Sequence, residues 1–111
     1  MKQISSVDIS TSKSPSKKLT AIFYDKDNKK VKTTHFGSAG MSDYTINKDP
    51  KRKKAYIDRH RAREDWTNPI SAGALSRWIL WEDTNKSKAI SMFGRRFNLK
   101  IVKLQSLRQL E

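Results

Sequence analysis

The 111-residue sequence contains no cysteine, only two histidines (His35 and His60), three prolines and four glycines. Without cysteine there is no disulfide framework and no Cys-based zinc site, so zinc ribbons and zinc fingers are excluded and stability must come from packing. Two isolated histidines supply too few ligands for a His-rich metal centre; the expectation is a protein with no metal and no cofactor. Acidic residues are scarce as well: 11 Asp and Glu stand against 24 Lys and Arg, a formal net charge of +13. No apolar run approaches the roughly 20 residues that span a bilayer. The opening MKQISSVDIS also lacks the apolar core of a secretory signal. The chain is therefore expected to have no membrane partner and not to be exported.

What is present points to polyanions. A charge of +13 says nothing about fold, but it raises association with DNA, RNA or other anionic surfaces. Three Trp, four Phe and three Tyr, within 35% hydrophobic residues, suffice for one modest core, and the length suits one domain.

Residues 1–18, MKQISSVDISTSKSPSKK, are rich in Ser and Lys and read as a mobile basic tail, although the weak alternation of Ile4, Val7 and Ile9 allows an edge strand within it. LTAIFY and VKTTHF are β-favouring runs on either side of the turn cluster DKDNKK, which predicts a hairpin. Gly37 and Gly40 shape the loop that follows. Asp49-Pro50 then reads as an acidic N-cap with proline at the first helical position, opening a helix that runs to about Glu64. SAGALSRWILW is apolar nearly all round, as expected of a helix buried on several sides. In NKSKAISMFGRRF, Ile90, Phe93 and Phe97 share one helical face, with Lys88 and Arg95 on the reverse. The end is ambiguous: Leu99, Ile101 and Lys103 alternate like a strand, whereas Leu104, Leu107 and Leu110 advance by three like a helix. Exposed leucines at that end would favour self-association, and a homodimer is the oligomer they would build. The expected fold class is α+β: a small antiparallel sheet of two or three strands followed by about three helices. A single domain covers residues 19–97, and 98–111 form a leucine-rich segment.

The chemistry concentrates in KDPKRKKAYIDRHRAREDW, Lys48 to Trp66. At 100° per residue, Tyr56, Ile57 and His60 share a packing face with Lys53 and Glu64 beside them. Arg52, Arg59 and Arg63 form one cationic stripe, and Lys54 and Arg61 another. Lys51, Arg52, Lys53 and Lys54 crowd the first turn, where the helix dipole makes each cation cost roughly 0.3–1 kcal/mol. A phosphate docked there would reverse that sign, because N–H groups, dipole and side chains would all face one anion. The plain alternative is a solvated charged face. Asn and Gln are absent from Lys51 to Trp66, so no code for reading bases is visible and binding should be indifferent to sequence. Lys48 precedes this cluster; Arg77, the cation presented outward by the apolar helix, and Arg95 and Arg96 extend it, as do the N-terminal lysines.

Other chemistries fit less well. His60, oriented by Asp58 or Glu64, has the elements of a general base, but its place between Tyr56 and Ile57 suits a structural histidine better; His35 lies on a strand. The acids Asp43, Asp49, Asp58, Glu64, Asp65, Glu82 and Asp83 lack the paired spacing of a two-metal nuclease. GSAG lacks the GK[ST] ending of a P-loop. Trp66, Trp78, Trp81, Tyr44 and Tyr56 offer stacking surfaces for unpaired bases, yet aromatics at helical spacing in so small a chain more often form core. No catalytic residue is assigned.

HFGSAGMSDYT, KDPKRKKAYIDRHRAREDW and SAGALSRWILW together resemble a family of small basic proteins of large nucleocytoplasmic DNA viruses, including marseillevirus-like ones, over roughly Phe36 to Trp81. Ala74 and Leu75 stand where an aromatic commonly follows the AG. The resemblance implies a role around a viral genome, in the virion or the cytoplasmic viral factory, with the host nucleus as a further location. The expected function is non-enzymatic, sequence-nonspecific binding of double-stranded DNA through its phosphates, in genome packaging or compaction, with RNA as the other polyanion. The alternative is a structural virion component that binds acidic proteins or links capsid to core.

Overall fold

A computed structural model of the chain describes residues 3–102. The strands are β1 (Ser6–Thr11), β2 (Lys17–Tyr24), β3 (Lys30–Ser38) and β4 (Lys100–Ile101). The helices are α1 (Tyr44–Asn47), α2 (Pro50–His60), α3 (Ala72–Leu75), which passes into a π-helical turn (Ser76–Leu80), and α4 (Lys86–Phe97). The class is α+β as expected, but the sheet has four strands rather than two or three, in the order β3-β2-β1-β4. It is mixed: β1 is antiparallel to β2, and β4 is parallel to β1.

The extra strands come from the two segments placed outside the domain. β1 lies inside the stretch read as a mobile tail, and it is an interior strand rather than an edge. Its alternation is real: Val7 and Ile9 are 0% and 1% exposed and pair with Phe23 and Ala21 of β2. Serine and threonine tolerate a strand, so a polar composition did not prevent one. The composition signal belongs instead to the Ser-Lys-Ser-Pro-Ser stretch after β1, a turn in which Lys17 N–H donates to Ser14 O. At the other end the strand option holds for Lys100–Ile101: Ile101 pairs with Val7, and Val102 N–H donates to Val7 O. The leucine pattern of Leu104, Leu107 and Leu110, and the homodimer built on it, lie outside the described residues.

The LTAIFY–VKTTHF hairpin is present as β2 and β3, with Asn28 at φ 62° in its turn. One face of the sheet, carrying Val7, Ile9, Leu19, Ala21, Phe23 and Phe36, packs on Leu75, Ile79 and Leu80 and on Ile90 and Phe93 of α4. Burying a side chain of this size contributes about 1.5–3 kcal/mol, so this layer holds the domain together. Asn85 caps α4 by accepting from Lys88 N–H at 2.9 Å, and Asn98 ends it in the left-handed conformation. Gly94 lets the helix lie against β4: a Cβ there would sit 2.8 Å from Leu99 O.

The Asp49-Pro50 start of α2 is as read: Asp49 Oδ1 accepts from Lys51 N–H at 2.9 Å and Pro50 is the first helical residue. The helix ends at His60 rather than Glu64, because the chain turns there. Arg63 N–H donates to His60 O, Trp66 Nε1 donates to Glu64, and Trp78 Nε1 donates to Trp66 O at 2.9 Å. Those bonds draw the segment after α2 back toward the π-helical turn. Among the described residues no helix is long and apolar enough to cross a membrane.

Candidate nucleic-acid interface

α2 is attached to the body by one buried residue, Tyr56. Its ring stacks on Trp81 with centroids 4.5 Å apart and on His60 at 4.3 Å, giving a stack of His60, Tyr56 and Trp81. Burial, and next the Glu64 charge, push the Tyr56 phenol well above its usual value, so it stays a neutral donor. His60 Nδ1 lies 3.3 Å from Glu64 Oε1. The packing face read from the wheel is therefore the face that packs, with Ile57 half-buried beside it.

The predicted cations separate into two groups. Three of them have partners within the chain, two in partly buried settings and Lys54 at the surface. Lys53 donates to Glu82 O at 2.8 Å, lies 3.7 Å from Glu82 Oε1, and has its ammonium 5.2 Å from the Tyr44 ring centroid. Lys54 pairs with Asp58 one turn on, at 2.7 Å, and that hydrogen bond holds the Asp58 carboxyl below the usual carboxylate range. Arg77 is the clear correction: instead of pointing outward it is 9% exposed, donates to Glu82 Oε1 at 2.8 Å, and lies over the Trp78 and Trp66 rings. A guanidinium can be buried where a carboxylate and aromatic faces replace its hydration; SRWILWE supplies Glu82 and Trp78, and Trp66 comes from the segment after α2.

The other cations remain available. Lys48, Lys51, Arg52, Arg59, Arg61 and Arg63 are exposed and form no ion pair among the described residues. Arg95 is likewise exposed and unpaired, whereas Arg96 is exposed but rests 3.6 Å above the Trp78 ring centroid. The first-turn crowding of α2 thus reduces to Lys51 and Arg52, with Lys48 just before them; Lys53 and Lys54 have partners. Asp49 already supplies the helix start with one carboxylate.

A feature not seen in the sequence lies beside this surface. A cleft of about 320 Å³ opens between the end of β3, α2 and the π-helical turn. Lys17 and Lys18, from the basic N-terminal stretch, line it together with Arg59. Its floor includes Asp43, 1% exposed, which receives Lys18 Nζ at 2.5 Å and caps α1 by accepting from Thr45 N–H and Thr45 Oγ1. Gly37, at φ 78°, closes the end of β3 on the helical layer: a Cβ would come within 2.7 Å of Leu80 Cδ1. The Ser-Asp-Tyr-Thr run is a local cap signal that could have revealed Asp43 as a fold element; nothing local could have paired it with Lys18, 25 positions away. Among the described residues no group of three or more His, Asp or Glu is placed to hold a metal.

Fold and surface together define a small α+β domain that displays a sparsely buried cationic helix. A family model described as "Family of unknown function (DUF5754)" matches residues 7–60, so the chain is similar to that family from β1 to the end of α2. No curated protein and no solved structure matches the chain.

Proposed function

We propose that the protein binds nucleic acid through its phosphates, without reading sequence, and that double-stranded DNA is its principal partner, with RNA as the second polyanion. The observation that carries this reading is the set of exposed, unpaired cations on and beside α2, Lys48, Lys51, Arg52, Arg59, Arg61 and Arg63, in a chain of net charge +13. These cations form no ion pair within the described residues, and phosphate oxygens are partners they suit. Arg95, and Arg96 in part, form a separate proposed contact: Arg95 lies beside β4 with Leu99 and Lys100, whereas the α2 cleft opens at the end of β3. Arg77 and Lys53 serve the fold and leave the proposed contact set, whereas Lys54, 78% exposed in its surface pair with Asp58, stays in it.

No Asn or Gln accompanies these cations on α2 to read a base edge, which favours a sequence-indifferent binder. Non-enzymatic packaging or compaction of a genome is the corresponding activity. The resemblance to small basic proteins of large DNA viruses supplies the setting, a virion or cytoplasmic viral factory. The test is a gel-shift series on duplex and single-stranded DNA and on RNA of unrelated sequences. Retardation of every duplex with similar affinity is expected. A protein that ignores duplex at about 150 mM salt, where non-specific binders still bind, would instead be a structural component that binds acidic proteins.

A further inference from the structure

The cleft beside α2 is not explained by phosphate contacts along a duplex. Its volume of about 320 Å³ lies within the roughly 300–1,000 Å³ of small-molecule sites. One wall is aromatic: in the stack of His60, Tyr56 and Trp81 the tyrosine is covered by its neighbours, and the His60 side chain, 39% exposed, ends the stack. Two of its cations, Lys17 and Arg59, are exposed and unpaired among the described residues, while Lys18 is neutralised by Asp43. Glu64 Oε1 accepts from Trp66 Nε1 at 3.1 Å and lies 3.3 Å from His60 Nδ1; its Oε2 rests against Gly73, where a Cβ would come within 2.6 Å, and accepts no hydrogen bond among the described residues. The wall is completed by the π-helical turn, a distortion that costs hydrogen-bond regularity and recurs at functional sites.

A ligand that uses all of these groups needs an anion for Lys17 and Arg59, a flat π-face for the ring wall, and N–H donors for Glu64. We propose that the cleft takes one unpaired nucleotide of a nucleic-acid chain, its base against the aromatic wall and its phosphate at Lys17 and Arg59. The ligand class rests on the nucleic-acid reading above. Base stacking on aromatic side chains is tolerant of sequence, so such a site keeps the binder indifferent to sequence while favouring frayed ends, flipped bases or single strands.

Guanosine monophosphate, whose base edge offers N–H donors, is the probe. Titrated into the ¹⁵N-labelled full chain, it is expected to move the Trp81 indole signal and the Arg59 and Lys17 amides saturably below about 5 mM; inorganic phosphate alone should leave the indole signal in place. Lys17→Ala with Arg59→Ala, both at exposed positions, should weaken the nucleotide by about tenfold or more, with an unchanged thermal transition showing that the fold is intact. Arg52→Glu with Arg63→Glu, outside the cleft, should weaken duplex binding and leave the nucleotide affinity within about twofold, since charges outside the cleft are screened. No saturable shift at Trp81, or shifts confined to the first turn of α2, would overturn the cleft assignment even if duplex is bound. Nucleotide binding without any retardation of duplex or single strands would uphold the cleft and reject the proposed function.

Discussion

Helices α2 and α4 are almost equal in length, 11 and 12 residues; both begin at a side-chain cap, and neither has an acid in its first turn. They differ in what they bury. α4 commits Ala89, Ile90, Phe93 and Gly94 to the core, whereas α2 commits only Tyr56. Packing explains why α4 has its sequence. It explains little of α2, where the cap and one tyrosine account for the helix and the exposed cations account for nothing in the fold. A residue pattern that folding does not require is where function should be sought.

That contrast can be broken experimentally, and the largest effect should come from α4. Phe93→Ala removes a side chain that is 1% exposed and packed on Phe97 at 5.0 Å. It is expected to cost about 3–5 kcal/mol, read as a lowered denaturant midpoint; a loss under about 1 kcal/mol would mean that the sheet does not depend on α4. Asp43→Ala comes next. It strips Lys18 of its partner and α1 of its cap, for a cost of about 2 kcal/mol, and a Lys18→Met, Asp43→Leu double variant should recover part of it.

Tyr56 is the hinge of the comparison, because it is α2's only buried residue. Tyr56→Ala should cost about 2 kcal/mol through lost area and ring stacking, less than Phe93→Ala. Tyr56→Phe should be close to neutral at pH 7 and differ in alkali. The folded state holds the phenol proton above the ordinary value, so this contribution is complete below about pH 10 and is lost as pH rises beyond it, when only the unfolded chain ionises. Thermal unfolding across alkaline pH should therefore fall more steeply for the parent than for Tyr56→Phe. The smallest stability effect belongs to Arg52→Glu, Arg59→Glu and Arg63→Glu together: within about 1 kcal/mol in either direction, with a large loss of duplex affinity. Stability loss comparable to that of Phe93→Ala would show that α2's cations serve the fold after all.

Much of the domain was legible in the sequence where the signal is local. The β2–β3 hairpin, the Asp49-Pro50 start, the face of Ile90, Phe93 and Phe97, and the packing side through Tyr56 and His60 all follow from periodicity and capping within a few residues. What escaped was non-local. β1 was read as no more than an edge-strand option within a tail, because serine and lysine dominate there, while its interior place comes from partners on both sides, Phe23 in one direction and Ile101 in the other. Arg77 was misplaced because a cation in an apolar helix reads as its outward side; Glu82 and two indole rings make burial possible. The cleft draws Lys17 and Lys18 from β2 and Arg59 from α2, elements far apart in the chain, which no spacing rule encodes.

Whether α2 is a phosphate-binding surface is tested most directly by the salt dependence of duplex affinity. If six to eight phosphates are neutralised, log K against log [salt] should slope at roughly −5 to −7, and the triple Arg→Glu variant should flatten it by roughly 2 to 3. A slope for the parent chain flatter than about −2, or one that the triple variant leaves unchanged, would contradict phosphate binding by this helix.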